Sequence, residues 1–122
     1  MLSVGIDLIE IDRIKQSVEN QKFISRVFGE HEQFELLRKQ NNIQSYAAAF
    51  AAKEAFAKAL GTGFRGFSLN EIELLHDELG APYLKLSGRA LEIAEEKRLR
   101  FSVSVTHTDN YAAAVVVAEK YV

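Results

Sequence analysis

At 122 residues the chain is long enough to bury about two thirds of its unfolded surface as one domain, and small enough that subunit association would usefully add to its stability. A net charge of -2 argues against a general nucleic-acid binder, which neutralises phosphates with excess Lys and Arg, and a 48% hydrophobic composition without a long apolar run argues against a membrane span. The absence of cysteine excludes disulfides, thiolate nucleophiles and cysteine zinc sites; together with a start, MLSVGIDLIEI, that lacks a basic n-region or cleavage site, it points to the cytoplasm.

Residues 3–11 are rich in Val, Ile and Leu and alternate loosely, which predicts a strand carrying Asp7, followed by Asp12 as the N-cap of a helix from Arg13. From there to residue 42, Ile14, Val18, Phe23, Val27, Phe34 and Leu37 recur at near-helical spacing, so two or three short helices are expected, two of them separated by Gly29. Residues 43–60 carry the strongest helical pattern, Ala-rich with Phe50 and Phe56 as bulky anchors, and end at Gly61 as a left-handed C-cap. Strands are expected over 67–75 and 81–86, joined through the turn HDELG, with Pro82 between turn and strand. An amphipathic helix over 88–98 carries Leu91 and Ile93. The alternating segments 101–106 and 111–118 flank Thr108-Asp109-Asn110 and read as a hairpin. Strands at both ends with helices between them predict an α+β fold, one antiparallel sheet with helices packed on one face, formed by residues 1–122 as a single domain.

Asp is depleted in strands, so the carboxylate of Asp7 must find water, a donor or a cation. Glu54 lies among alanines that let other groups approach closely. It can pair with Lys58 one turn on, or the same lysine can offer a point charge to an anionic ligand. Gly61-Thr62-Gly63 follows a helix, where the dipole disfavours anions, so it is no Walker loop; it reads as a C-cap whose amides a ligand could also reach. His107 ends a strand beside a turn, at a pocket rim or in solvent. His31 and His76 lack HxH or HxxxH spacing, which argues against a histidine zinc site. Arg13, Lys15, Lys22 and Arg26 form a basic stripe, either a solvated face or a dock for an acidic partner.

GIDLIEIDRI at 5–14, FAAKEAFAKALGTG at 50–63, DELGAPYLKLSG at 77–88 and SVTHTDNYAAAVVV at 104–117 together resemble the holo-[acyl-carrier-protein] synthases, small bacterial 4'-phosphopantetheinyl transferases. The resemblance implies that fold, and a Mg²⁺-dependent transfer of 4'-phosphopantetheine from coenzyme A to a serine of apo acyl carrier protein. It implies Asp7 and Glu54 as metal ligands and, with Lys58, as catalytic residues. Lys58 would also contact the pyrophosphate, and Gly61, Thr62, Gly63, Pro82, Thr106 and His107 would line the coenzyme A site. Arg13 and Arg26 would meet the carrier protein, and homotrimers would hold each site between subunits. Where the family commonly reads Gly-Arg or Lys-Arg before the helix phenylalanine, this chain has Ala48-Ala49. The general base stays open among a metal-bound water, Glu54 and the region of Glu32. A competing reading is a non-catalytic module that binds a carrier protein or nucleotide; an RNA-binding domain is disfavoured by the negative charge and the lack of a basic, aromatic strand face.

Overall fold

The structure is a computed structural model that describes residues 2–40 and 42–122. Strand β1 (Leu2–Glu10) leads into three short helices, α1 (Ile11–Ser17), α2 (Gln21–Val27) and α3 (Glu30–Leu37), and then the long helix α4 (Asn42–Leu60). A 3-10 turn (Leu69–Glu71) precedes β2 (Ile72–His76) and β3 (Pro82–Leu86); helix α5 (Gly88–Glu96) and strands β4 (Leu99–His107) and β5 (Tyr111–Lys120) complete the chain. The class is α+β with antiparallel strands, as expected, but the strands divide into two sheets. One has the order β1-β5-β4, and the hairpin β2-β3 stands apart with β3 alongside β4.

Helix α4 organises the core. Its alanines give it high helix propensity and a narrow girth, so it is buried nearly all round, with β1 and β5 on one side and α1, α3 and β2 on others. The sheet face beneath it is equally small, with Ala112, Ala114, Val116 and Ala118 of β5 all buried. Phe56, with no exposed surface, fills the space toward β4 and the segment before the 3-10 turn, its ring 4.6 Å from Phe101 and edge-on to Phe67 at 5.7 Å. Phe28 meets Tyr46 edge-on at 5.0 Å at the other end.

Several local expectations are corrected. Helix α1 starts at Ile11 and is flanked by Glu10, with no side-chain cap; the amide of Ile11 donates to the Asn110 carbonyl at 2.9 Å, which takes the chain from the ladder into the helix before Asp12 can cap it. Asp12 instead sits in the first turn, where the helix dipole favours it. Residues 67–71 are not strand. Glu71 turns its carboxylate back to the amide of Ser68 at 3.0 Å and across to those of Arg89 and Ala90 at 3.2 and 3.3 Å, so the strand begins only at Ile72. Helix α5 stops at Glu96, two residues early, because Arg98 takes a left-handed φ of 54° to reverse into β4. Its inward side is Ala90, Ile93 and Ala94, leaving Leu91 exposed. Gly29 does separate α2 from α3, and Gly61, at φ 86°, does end α4.

Candidate active site

Alternation along β1 sends Leu2, Val4, Ile6 and Leu8 outward and turns Ser3, Gly5, Asp7 and Ile9 toward the helices. The Ser3 hydroxyl donates to the Ala59 carbonyl of α4. Lys58 reaches the same strand, its Nζ donating to the Ile6 carbonyl at 2.9 Å and to Asp7 Oδ1 at 3.2 Å. The Glu54–Lys58 pair allowed by helical spacing is therefore not formed; the ammonium is spent on β1. Glu54, a turn earlier on the helix, faces the pocket that Asp7 enters, a hollow of about 430 Å³ also lined by Arg13, Lys58, Phe23 and Phe50. The two rings stack at 6.1 Å and form its apolar wall.

Partial burial raises the pKa of Glu54, and the negative charge of Asp7 raises it further, with Lys58 opposing. The pocket thus holds two carboxylates with two cations, Lys58 and Arg13. Lys58 is engaged by Asp7 and β1, and among the described residues Glu54 forms no ion pair, which leaves its carboxylate available to a bound cation. Among the described residues no group of three or more His, Cys, Asp or Glu side chains could hold a metal ion. A cation here would take two protein carboxylates and complete its shell from ligand oxygens and water, a donor set that suits Mg²⁺.

The remaining candidate residues are not gathered around Asp7 within one chain. Gly61, Thr62 and Gly63 border an open hollow with Phe64 and Arg65 just past α4. Thr106 lies with Ile6 and Val115 in a groove on the outer sheet face. His107 borders a cavity of about 250 Å³ with Lys39, Glu35, His76 and the buried Ala49. Pro82 opens β3, paired with His76 across the hairpin. Arg13 lines the Asp7 pocket, whereas Arg26 belongs to the last turn of α2 and is not among its lining residues.

A buried network beside the site escaped the sequence reading. Lys53, adjacent to Glu54, points away from the pocket with no exposed side-chain surface and contacts Glu32 Oε1 at 2.6 Å. It also donates to the carbonyls of Ile72 and of Leu69, the latter at 3.3 Å. Glu32 accepts the amides of Leu74 at 2.8 Å and Gly29 at 3.1 Å, while Glu73 Oε2 accepts the Glu32 amide at 2.8 Å and Oε1 meets His31 at 3.1 Å. Burial pushes Glu32 up and Lys53 down, each opposed by the charge of the other. Glu32 is thereby committed to structure and is withdrawn as a general base. The only sequence signal was a lysine inside an otherwise apolar helix, where a charge needs a partner.

A family model described as the 4'-phosphopantetheinyl transferase superfamily matches residues 3–116. The holo-[acyl-carrier-protein] synthase of Caldanaerobacter subterraneus subsp. tengcongensis is 43% identical over 117 residues, covering 94% of this chain and 92% of that protein. The crystal structure of the synthase from Neisseria meningitidis superposes with a TM-score of 0.90 at 35% identity, covering 97% of this chain and 98% of the other. That of the Helicobacter pylori synthase, in complex with coenzyme A, gives a TM-score of 0.83 at 32% identity over 95% and 99% of the two chains. Agreement of sequence and fold over nearly the whole length means that the chain belongs to the 4'-phosphopantetheinyl transferase superfamily and is an enzyme of its holo-[acyl-carrier-protein] synthase family.

Proposed function

We propose that the chain, as one transferase domain over residues 1–122, moves the 4'-phosphopantetheine arm of coenzyme A onto a serine hydroxyl of apo acyl carrier protein in a Mg²⁺-dependent reaction. The observation that carries this reading is the convergence of Asp7, Glu54, Lys58 and Arg13 on one open pocket in an enzyme of this family. The serine oxygen forms a bond to the β-phosphorus of the pyrophosphate. The bond from that phosphorus to the bridging oxygen breaks, and adenosine 3',5'-bisphosphate leaves with the electron pair. Lys58, half-exposed and steadied by Asp7 and the Ile6 carbonyl, holds a pyrophosphate oxygen as a point charge. The serine proton passes to a basic group of the same pocket, the Glu54 carboxylate or a water held there. Asp7 and Glu54 would hold Mg²⁺, which when bound supplies charge neutralisation at the pyrophosphate.

The active assembly is a homotrimer with sites between subunits. Two features support this. The outer face of edge strand β1 presents Leu2, Val4, Ile6 and Leu8 at 60% to 67% exposure, an apolar row that a second copy would cover. In addition, Pro82, Thr106 and His107 lie away from the Asp7 pocket of their own chain, and they would contribute to coenzyme A binding at a neighbour's pocket. Gly61, Thr62 and Gly63, in the open hollow just past α4, would also line part of the coenzyme A site. Arg13 and Arg26 supply positive charge for an acidic carrier protein. The enzyme works in the cytoplasm; among the described residues no helix is long and apolar enough to cross a membrane.

Incubating the protein with coenzyme A, Mg²⁺ and an apo carrier protein tests the reading, with a phosphopantetheine adduct on the carrier detected by mass spectrometry. Asp7→Asn and Glu54→Gln should remain folded and lose the adduct. Carrier binding without any adduct, unchanged in both variants, would instead identify a binding module.

A further inference from the structure

Gly5 lies on β1 between Ser3 and Asp7, on the face that meets α4, and the space of its missing side chain is occupied by the helix main chain. A Cβ placed there would run into the carbonyl oxygen of Ala55 and lie 2.6 Å from the Ala59 amide nitrogen and 2.9 Å from the Ala55 carbonyl carbon, where ordinary contact begins at 3.4 Å. All three are backbone atoms of one helix, so no rotamer change makes room. The contact is also clamped on either side along the strand, by the Ser3 hydroxyl on Ala59 and by Lys58 on the Ile6 carbonyl. A glycine inside a strand marks such a close approach of another backbone. Asp7 follows Gly5 by two residues on the strand, and Glu54 precedes Ala55 on the helix, so the spacing at Gly5 is transmitted directly to the two carboxylates.

We infer that Gly5 is a positioning residue, whose absent side chain sets the separation of β1 and α4 at which Asp7 and Glu54 can share one divalent cation. The inference rests on the proposed metal site. A Cβ at position 5 would force the helix back by about an ångström or more, and a displacement of that size at a reacting constellation costs about a hundredfold in rate.

The test measures Mn²⁺ binding in the presence of coenzyme A, from the electron paramagnetic resonance signal of the free ion, alongside turnover and melting temperature. Gly5→Ala should weaken Mn²⁺ binding about tenfold to a hundredfold. Adding Asp7→Glu, which lengthens the reach by one methylene or about 1.5 Å, should restore most of it, although Asp7→Glu alone weakens binding. Val116→Ala truncates the buried strand partner of Gly5 without adding bulk under the helix, and should bind Mn²⁺ like wild type at a comparable loss of melting temperature. If Gly5→Ala fails to fold, Ala114→Val, which adds bulk beside Asp7 under the same helix, should weaken binding and be rescued by Asp7→Glu in the same way. Wild-type binding in folded Gly5→Ala, no rescue by Asp7→Glu, or an equal loss in Val116→Ala would overturn the inference while leaving the metal site standing. A wild-type protein that binds no Mn²⁺ would overturn both.

Discussion

Replacing Lys53 with methionine keeps most of the side-chain volume and removes the ammonium from a pair in which both side chains have no exposed surface and meet at 2.6 Å. Glu32 then faces only the amides of Leu74 and Gly29. Removing one partner of a buried pair costs about 3–5 kcal/mol, because the other charge is left desolvated. With an unfolding entropy of about 2.1 cal/mol/K per residue, this lowers the melting temperature by about 12–20 °C for a chain of this length. The loss should depend on pH. Burial already pushes the Glu32 carboxyl above its usual 4.5, and Lys53 is the main opposing influence; without it the carboxyl rises further and holds a proton in the fold. A folded-state pKa above the unfolded value leaves stability intact below about 4.5 and removes it as pH climbs toward the folded value, by up to about 1.4 kcal/mol per pH unit. Thermal and urea melts followed by circular dichroism, at fixed protein concentration and from about pH 5 to pH 8, should show Lys53→Met losing stability with rising pH more steeply than wild type. Glu32→Gln added to Lys53→Met should abolish the pH dependence, since no charge is buried, but restore little of the loss, because Gly29 and Leu74 donate to different carboxylate oxygens and the side-chain amide has only one. A loss under about 1 kcal/mol without pH dependence would mean that the pair behaves like an exposed one, and would refute the reasoning.

Lys58→Ala should raise the KM for coenzyme A about tenfold to a hundredfold, the worth of one charge-assisted hydrogen bond, measured by initial rates with the carrier protein saturating. Phe56→Ala removes a ring packed between Phe67 and Phe101 and should cost about 3–5 kcal/mol in a urea titration. Ile6→Glu places a charge in the middle of the exposed apolar row of β1; light scattering should report a trimer mass for the wild type, as proposed, and a protomer mass for the variant, and an unchanged mass would refute the proposed covering of that face.

The Ala-rich helix, its glycine stop and the terminal hairpin were legible because each is written in local chemistry: propensity, a left-handed cap and strict alternation. The start of β2 was not. Phe67 and Leu69 look like strand residues until the Glu71 carboxylate, bonded both to Ser68 and to the first turn of α5, draws the segment into a 3-10 turn. Leu91 similarly looked like a core residue of α5, but the space beneath that helix accepts the small Ala90 and Ala94 with Ile93.

From sequence, Asp7 and Glu54 were each explicable as ordinary polar residues, and only the family resemblance set them side by side; their ordering along the chain carries no information about a distance across the fold. Local sequence specified the type of most elements, though not the 3-10 turn over Leu69–Glu71, together with carboxylates, cations and small residues compatible with phosphate chemistry. The tertiary structure alone decided which of them meet. Lys58 turns to β1 instead of Glu54, Lys53 and Glu32 bury each other, and Gly5 lets α4 approach near enough for two carboxylates to face one pocket. These outcomes depend on the azimuth and depth of one helix against one sheet, quantities set by the packing of many residues at once and by none of them singly.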